Sequence, residues 1–214
     1  MSIKARLNAI RKTLPDGVTL VAISKFHPLE ALMEAYHAGQ RIFGESRAQE
    51  LCAKQQALPK DIEWHFIGTL QRNKVKDIAP FIHTIQSIDS LRLMEEVNKQ
   101  AEKNNRIINV LIEIHLSQEE SKHGFTIDEC QSLLDNDPET TYPYLKIRGL
   151  MGMATNTNCE ETIRKEFALL KQIKDANPIR IKELSMGMSD DYMIAIEEGS
   201  SMVRVGSSIF GHRE

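Results

Sequence analysis

An α/β barrel of eight parallel strands, a (β/α)8 TIM barrel, is the fold this sequence predicts, and three observations predict it. Eight short apolar runs of strand length alternate with segments of helical periodicity. No second block of strands follows them, which favours a closed barrel over an open doubly wound sheet, the alternative. The 214 residues contain no Pro/Gly/Ser-rich linker, low-complexity tract or short-period repeat, so a single domain over residues 1 to 214 is expected.

The chain opens on a helix with Ile3, Leu7, Ile10 and Leu14 on one face, broken at Pro15-Asp16-Gly17. TLVAIS at 19 to 24 is the first strand. Pro28 starts a helix with a buried stripe of Leu29, Leu32, Met33 and Tyr36, and Gly39 caps it. RIFG at 41 to 44 is the second strand, with a helix through AQELCAKQQAL after it. EWHFIG at 63 to 68 is the third strand, followed by a short helix in QRNKVKDIAPF. FIHTIQSI at 81 to 88 is the fourth, and its helix turns Met94, Val97 and Ala101 inward. IINVLIEIHL at 107 to 116 is apolar enough to be a fifth strand buried on both faces. Thr126 and Glu129 have the spacing of a capping box at the next helix start. YLKIRGLMGMA at 144 to 154 is the sixth strand, and Ile163, Phe167, Leu170 and Ile173 mark a helix ending before Asn177-Pro178. IKELSMG at 181 to 187 is the seventh strand, DDYMIAIEEG a short helix, and SMVRVG at 201 to 206 the eighth strand.

Composition excludes several functions. A net charge of -3 with interspersed signs leaves no footprint for nucleic acid or an anionic membrane. Cys52, Cys130 and Cys159 are odd in number and widely spaced, which fits neither a disulfide framework nor a metal ligand set, so reduced structural thiols and no metal are expected. The N-terminal MSIKARLNAIRKTL has no signal-type apolar core, and no apolar stretch reaches membrane-spanning length. A cytoplasmic monomer is expected.

In a barrel of this kind, chemistry sits where the strands end, and phosphate favours the loops after strands seven and eight. Lys25 ends the first strand. An amine at a dry barrel mouth loses its charge more readily than one in water, and the neutral form condenses with aldehydes. The ordinary alternative is a strand-end lysine directed into solvent. Gly206, Ser207 and Ser208 offer backbone N–H groups and hydroxyls to a phosphate with no large side chain in the way. Ser189 precedes Asp190 and Asp191, the pattern of a helix N-cap with acidic residues in the first turn, so Ser189 has both a phosphate-binding and a capping reading. His65 is read as a satisfied core histidine, and Lys122 as a solvated loop lysine or a second reactive amine.

Seven ordered segments carry a family resemblance: ISKFHP at 23 to 28, FGESRAQE at 43 to 50, WHFIGTLQRNK at 64 to 74, ESKHGF at 120 to 125, IRGLMGMA at 147 to 154, LSMGMSDD at 184 to 191 and MVRVGSSIFG at 202 to 211. With these the chain resembles the pyridoxal phosphate homeostasis proteins, single-domain relatives of the barrel half of alanine racemase. The resemblance implies an alanine racemase N-terminal-domain-like barrel of fold type III. It implies pyridoxal 5'-phosphate (PLP) held as a Schiff base on Lys25, with Ser189, Gly206 and Ser207 on the phosphate and Arg204 beside the pyridine nitrogen. It also implies a role in intracellular PLP homeostasis, with recipient PLP-dependent enzymes as partners. The chain departs from the family pattern at Ser46 and Arg47, where asparagine and an aromatic are usual, at Thr69 in place of proline, and at Ser207 in place of threonine. Ser207 keeps the hydroxyl; Ser46 is shorter than the amide it replaces.

The rivals are a PLP-dependent racemase and a Schiff-base aldolase. The racemase relatives present a second acid-base tyrosine from an additional β domain, and Tyr36, Tyr142, Tyr144 and Tyr192 are not placed for that role by this reading. Aldolases of this type carry the lysine on a late strand, whereas Lys146 lies near the start of strand six. No efficient catalytic turnover, and hence no catalytic residue, is expected.

Overall fold

The computed structural model describes residues 1–116 and 123–211. Its strands are β1 (Thr19–Ile23), β2 (Ile42–Glu45), β3 (Glu63–Phe66), β4 (Thr84–Ile88), β5 (Ile108–Ile114), β6 (Leu145–Gly152), β7 (Glu183–Ser185) and β8 (Met202–Val205). Its helices are α1 (Ile3–Thr13), α2 (Leu29–His37), α3 (Ala48–Ala57), α4 (Arg72–Ile78), α5 (Leu91–Lys103), α6 (Ile127–Asp135), α7 (Pro138–Thr141), α8 (Glu160–Ala176), α9 (Tyr192–Glu197) and α10 (Ser207–Phe210). The strands close in chain order into one parallel barrel, β1 pairing with both β2 and β8, which rules out the open doubly wound sheet.

Alternation along each strand sorts the side chains into two layers. Ala22, Phe43, Trp64, Phe66, Ile112 and Val203 face outward into the core shared with the helices. Val21, Ile23, Leu111, Met151 and Met202 fill the lumen, with Ile42, Ile67 and Met153 packed against them. The helix stripes follow the periodicity: α8 buries Ile163, Phe167, Leu170 and Ile173, and α5 buries Met94, Val97 and Ala101. The capping box forms, with Glu129 N–H donating to Thr126 Oγ1 at 3.2 Å and Thr126 N–H to Glu129 Oε2 at 2.8 Å.

Four local expectations need correction. Leu29 is exposed, because α2 begins at the strand-end rim and only later turns, with Leu32 and Ala35, reach the sheet. Single-turn α7 is an additional element, too short for a periodic signal. The residues after β8 are not an open loop: Gly206 is the N-cap of α10, whose Ile209 carbonyl accepts from Arg6 in α1. The fourth concerns Ser189, described below. Among the described residues, no helix is long and apolar enough to cross a membrane. All three cysteines are free thiols, and burial pushes that of Cys130 up to about 12.

Candidate functional site

At the carboxyl ends of the strands lies a cavity of about 430 Å³, within the ~300–1,000 Å³ range of small-molecule sites. Lys25, Ser189, Arg204, Gly206 and Ser207 all line it. Lys25 reaches it because the inward residue before it, Ile23, ends β1, and the buried Ser24 carries the chain over the rim. The apolar wall comes from Ile23, Ile67, Met153 and Met188, and His27 adds a ring stacked on Phe210 at 4.8 Å. The wall residues and His27 were not singled out from sequence, although all of them fall at or just beyond strand ends.

The loop after β7 turns at Gly187, whose φ of +97° suits glycine and where a Cβ would lie 2.6 Å from the Cβ of Ala195. That turn decides the role of Ser189. The N-cap residue of α9 is Asp191, Asp190 precedes it, and no acidic residue lies in the first turn. Asp191 Oδ1 accepts the Met188 N–H at 2.5 Å, closing the turn on itself. Ser189 is thereby released from capping and its Oγ accepts the Gly206 N–H at 3.3 Å, joining the two loops that border the cavity. Gly206 itself backs onto β1: a Cβ there would lie 3.2 Å from the Cβ and the carbonyl oxygen of Ile23. The need for glycine thus comes from the barrel wall as well as from the open approach read in the sequence. The N–H groups of Ser207 and Ser208 open α10 and have no preceding-turn carbonyl to serve.

Arg204 is 4% exposed and pinned. Nη1 donates to the Ser185 carbonyl and to Ser185 Oγ, both at 2.7 Å, and Nη2 to the Gly152 carbonyl at 3.0 Å. Burial pulls its pKa down to about 10, opposed by Asp191 and Glu113, so the guanidinium stays charged at neutral pH. Glu113, near the end of β5, is pushed up to about 7 by burial and Asp89, with Arg204 acting against the rise. From Arg204 a hydrogen-bonded chain runs through the lumen. Ser185 Oγ donates to Gln86 Oε1 at 2.6 Å, and Gln86 Nε2 faces His65 Nδ1 at 2.7 Å. An amide nitrogen only donates, so Nδ1 accepts and the ring proton sits on Nε2. His65 is buried in the core, but it is not the satisfied histidine expected from sequence: its Nε2 has no partner among the described residues.

The remaining residues singled out from sequence lie elsewhere. Ser46, Arg47 and Thr69 border a separate hollow near the start of α4. Lys122 lies outside the described residues. Lys146 is exposed at the start of β6, the end of the barrel away from the cavity. No tyrosine is among the described residues that line the cavity. Tyr36 is bonded to Asp61 at 2.9 Å, and the hydroxyl of Tyr192 lies 3.1 Å from Thr13 Oγ1. Near the strand starts, ligand atoms of Glu63, His65 and His83 come within 4.8 Å of one another, but the proton on His65 Nε2 occupies the lone-pair position a metal would need. A larger hollow, about 870 Å³, lies among α5, α6 and α7, bordered by Asp89, Asp128 and Glu129 and, among the described residues, by no lysine.

A profile of the alanine racemase N-terminal domain matches residues 1–214. The chain is 42% identical over 207 residues to the pyridoxal phosphate homeostasis protein of Schizosaccharomyces pombe, covering 92% of this chain and 85% of that one. PipY of Synechococcus elongatus PCC7942, solved with PLP bound, superposes with a TM-score of 0.89 at 35% identity, covering 98% of this chain and 100% of that one. An alanine racemase of Clostridium difficile has the same fold, with a TM-score of 0.81 at 15% identity over 99% of this chain and 57% of that one.

Proposed function

The chain belongs to the pyridoxal phosphate homeostasis protein family, and from that premise we propose that its strand-end cavity binds PLP as part of intracellular cofactor homeostasis. The observation that carries this reading is the convergence of one lysine, one buried arginine and a group of small hydroxyl-bearing and glycine residues on one cavity. PLP has the matching parts: an aldehyde, a ring nitrogen and a phosphate. In this reading the barrel is a single PLP-binding domain over residues 1 to 214, working as a cytoplasmic monomer that supplies recipient enzymes.

Each residue has a distinct task. Lys25 would supply the amine for the aldehyde carbon, the aldehyde oxygen being released as water. Ser189, Gly206 and Ser207 hold the phosphate. The Gly206 N–H, which donates to Ser189 Oγ, would find a stronger acceptor in a charged phosphate oxygen, and the Ser189 hydroxyl has a proton of its own to donate. Arg204, fixed by three hydrogen bonds, would face the ring nitrogen, and it can only donate. Bound PLP supplies an electron sink whose strength depends on protonation of that nitrogen, and an arginine neighbour leaves it unprotonated. The set suits holding the cofactor better than driving carbanion chemistry. The relatives' name, homeostasis protein, agrees with that.

Inorganic phosphate is expected to compete with PLP for the protein. Gly206→Val, which presses a branched side chain on Ile23, is expected to weaken PLP binding about tenfold or more, ~1.4 kcal/mol. Equilibrium titrations of both proteins, checked for folding by circular dichroism, measure this; unchanged affinity in folded Gly206→Val would remove these loops from the phosphate site. A screen of amino acids with the PLP-loaded protein, read by chiral chromatography and keto-acid detection, is expected to give no turnover near the usual range of about 1 to 1,000 per second. Robust turnover that disappears in Lys25→Ala would make the protein an enzyme, with racemase the first candidate.

A further inference from the structure

A buried charge cluster sits behind the segment that carries Lys25. Lys54, in α3, is 5% exposed, and its Nζ donates to the Ser24 carbonyl, to Glu45 Oε1 and to Glu50 Oε1, each at 2.7 Å. Glu45, fully buried at the end of β2, also accepts from Ser24 Oγ at 2.6 Å. Glu50, one turn before Lys54, accepts the Phe26 N–H at 2.6 Å. The Ser24 carbonyl and the Phe26 N–H belong to the two peptide groups on either side of Lys25, and both are therefore gripped from α3. The grip holds an unusual conformation: Phe26 has a φ of +67°, the left-handed region that a bulky residue rarely adopts. Arg47 adds a hold from outside, its guanidinium carbon 4.6 Å from the centre of the Phe26 ring.

Fold stability does not explain the cluster. A buried ion pair stabilises a fold no better, as a rule, than apolar side chains of the same volume. Apolar side chains, however, have no atoms that take hold of a carbonyl and an N–H. We infer that Lys54, together with Glu50 and Glu45, is a positioning residue for Lys25, fixing both flanking peptide groups so that the amine is held at the cavity wall. This rests on the proposed role of Lys25 as the amine that links to PLP. The linkage forms a C=N bond to the amine nitrogen and releases the aldehyde oxygen as water, so its rate depends on where that nitrogen is held.

The test compares two probes on the full-length protein and its Lys54→Met and Glu50→Gln variants. PLP reports linkage, through growth of the near-visible absorbance and borohydride trapping on the Lys25 peptide. Pyridoxine 5'-phosphate, which has a hydroxymethyl group in place of the aldehyde, reports the fit of ring and phosphate alone. In Lys54→Met the linkage is slowed about tenfold or more, since displacement by about 1 Å can change a rate 10²-fold, while pyridoxine 5'-phosphate affinity stays within about twofold. Glu50→Gln, which keeps its shape and loses its charge, slows linkage in the same sense. Wild-type linkage rates in both variants overturn the inference, as does an equal loss of both probes, the mark of general damage. If Lys54→Met does not fold, Glu50→Gln alone decides. Wild-type protein that is never trapped at Lys25 overturns the cofactor reading, and the positioning role with it.

Discussion

Lys25→Ala is expected to lose the near-visible absorbance band that PLP produces on the wild-type protein, and to lose the borohydride-trapped adduct. The reason is stoichiometric: the linkage needs a primary amine in the cavity, and Lys25 lines it while Lys146 lies at the other end of the barrel. Weaker reversible binding should survive through the Ser189, Gly206 and Ser207 side. Lys25 is only half-buried, and urea unfolding of the variant beside the wild type separates lost binding from lost folding. Mass spectrometry of the reduced wild-type protein tests the assignment directly. An adduct on another lysine, Lys122 included, with Lys25 unmodified would displace it.

His65 is expected to make the fold acid-sensitive. Burial pulls its pKa from 6.5 to about 3, and His83 acts in the same direction. Between those values the unfolded chain takes up a proton that the folded chain refuses, so stability falls as pH drops through the window. At ~1.4 kcal/mol per pH unit, this group removes roughly 2 kcal/mol by pH 5 and at most about 5 kcal/mol by pH 3. His65→Gln retains an acceptor for Gln86 and has no proton to take up. Urea unfolding of both proteins at pH 7 and pH 5 should show the wild type losing about 2 kcal/mol more than the variant. Parallel losses would mean that the neutral ring is not the source.

The candidate site was legible in the sequence to the extent that it depends on strand ends. Lys25, Arg204, Gly206 and Ser207 lie at or just past the ends of β1 and β8, which pair along four residues, and an apolar run followed by small residues marks such ends. Ser189 was found for a mixed reason. It borders the cavity as expected, and of its two readings capping is the one the structure removes, because Asp191 is the N-cap residue of α9 and closes the turn while Ser189 meets Gly206. Helix caps are assigned from adjacent residues, whereas the partner of Ser189 is 17 positions away. Glu45 and Lys54 gave no signal at all: a glutamate ending a strand and a lysine in a helix ordinarily face water.

By itself, the sequence determined the order of strands and helices, and it placed the residues proposed for the cofactor at strand ends that border one cavity. These follow from periods of two and about 3.6 residues and from turn chemistry, which act over a few neighbours. The tertiary structure alone decided which polar groups face one another inside the closed barrel. Ser185 meets Gln86 across 99 positions, Gln86 meets Met202 across 116, and Lys54 reaches back 30 positions to the Ser24 carbonyl. Closing the sheet and laying α3 against it bring these side chains together, and in that dry interior an unpaired polar group is costly, so partners are chosen by position in space, which is invisible to local sequence pattern.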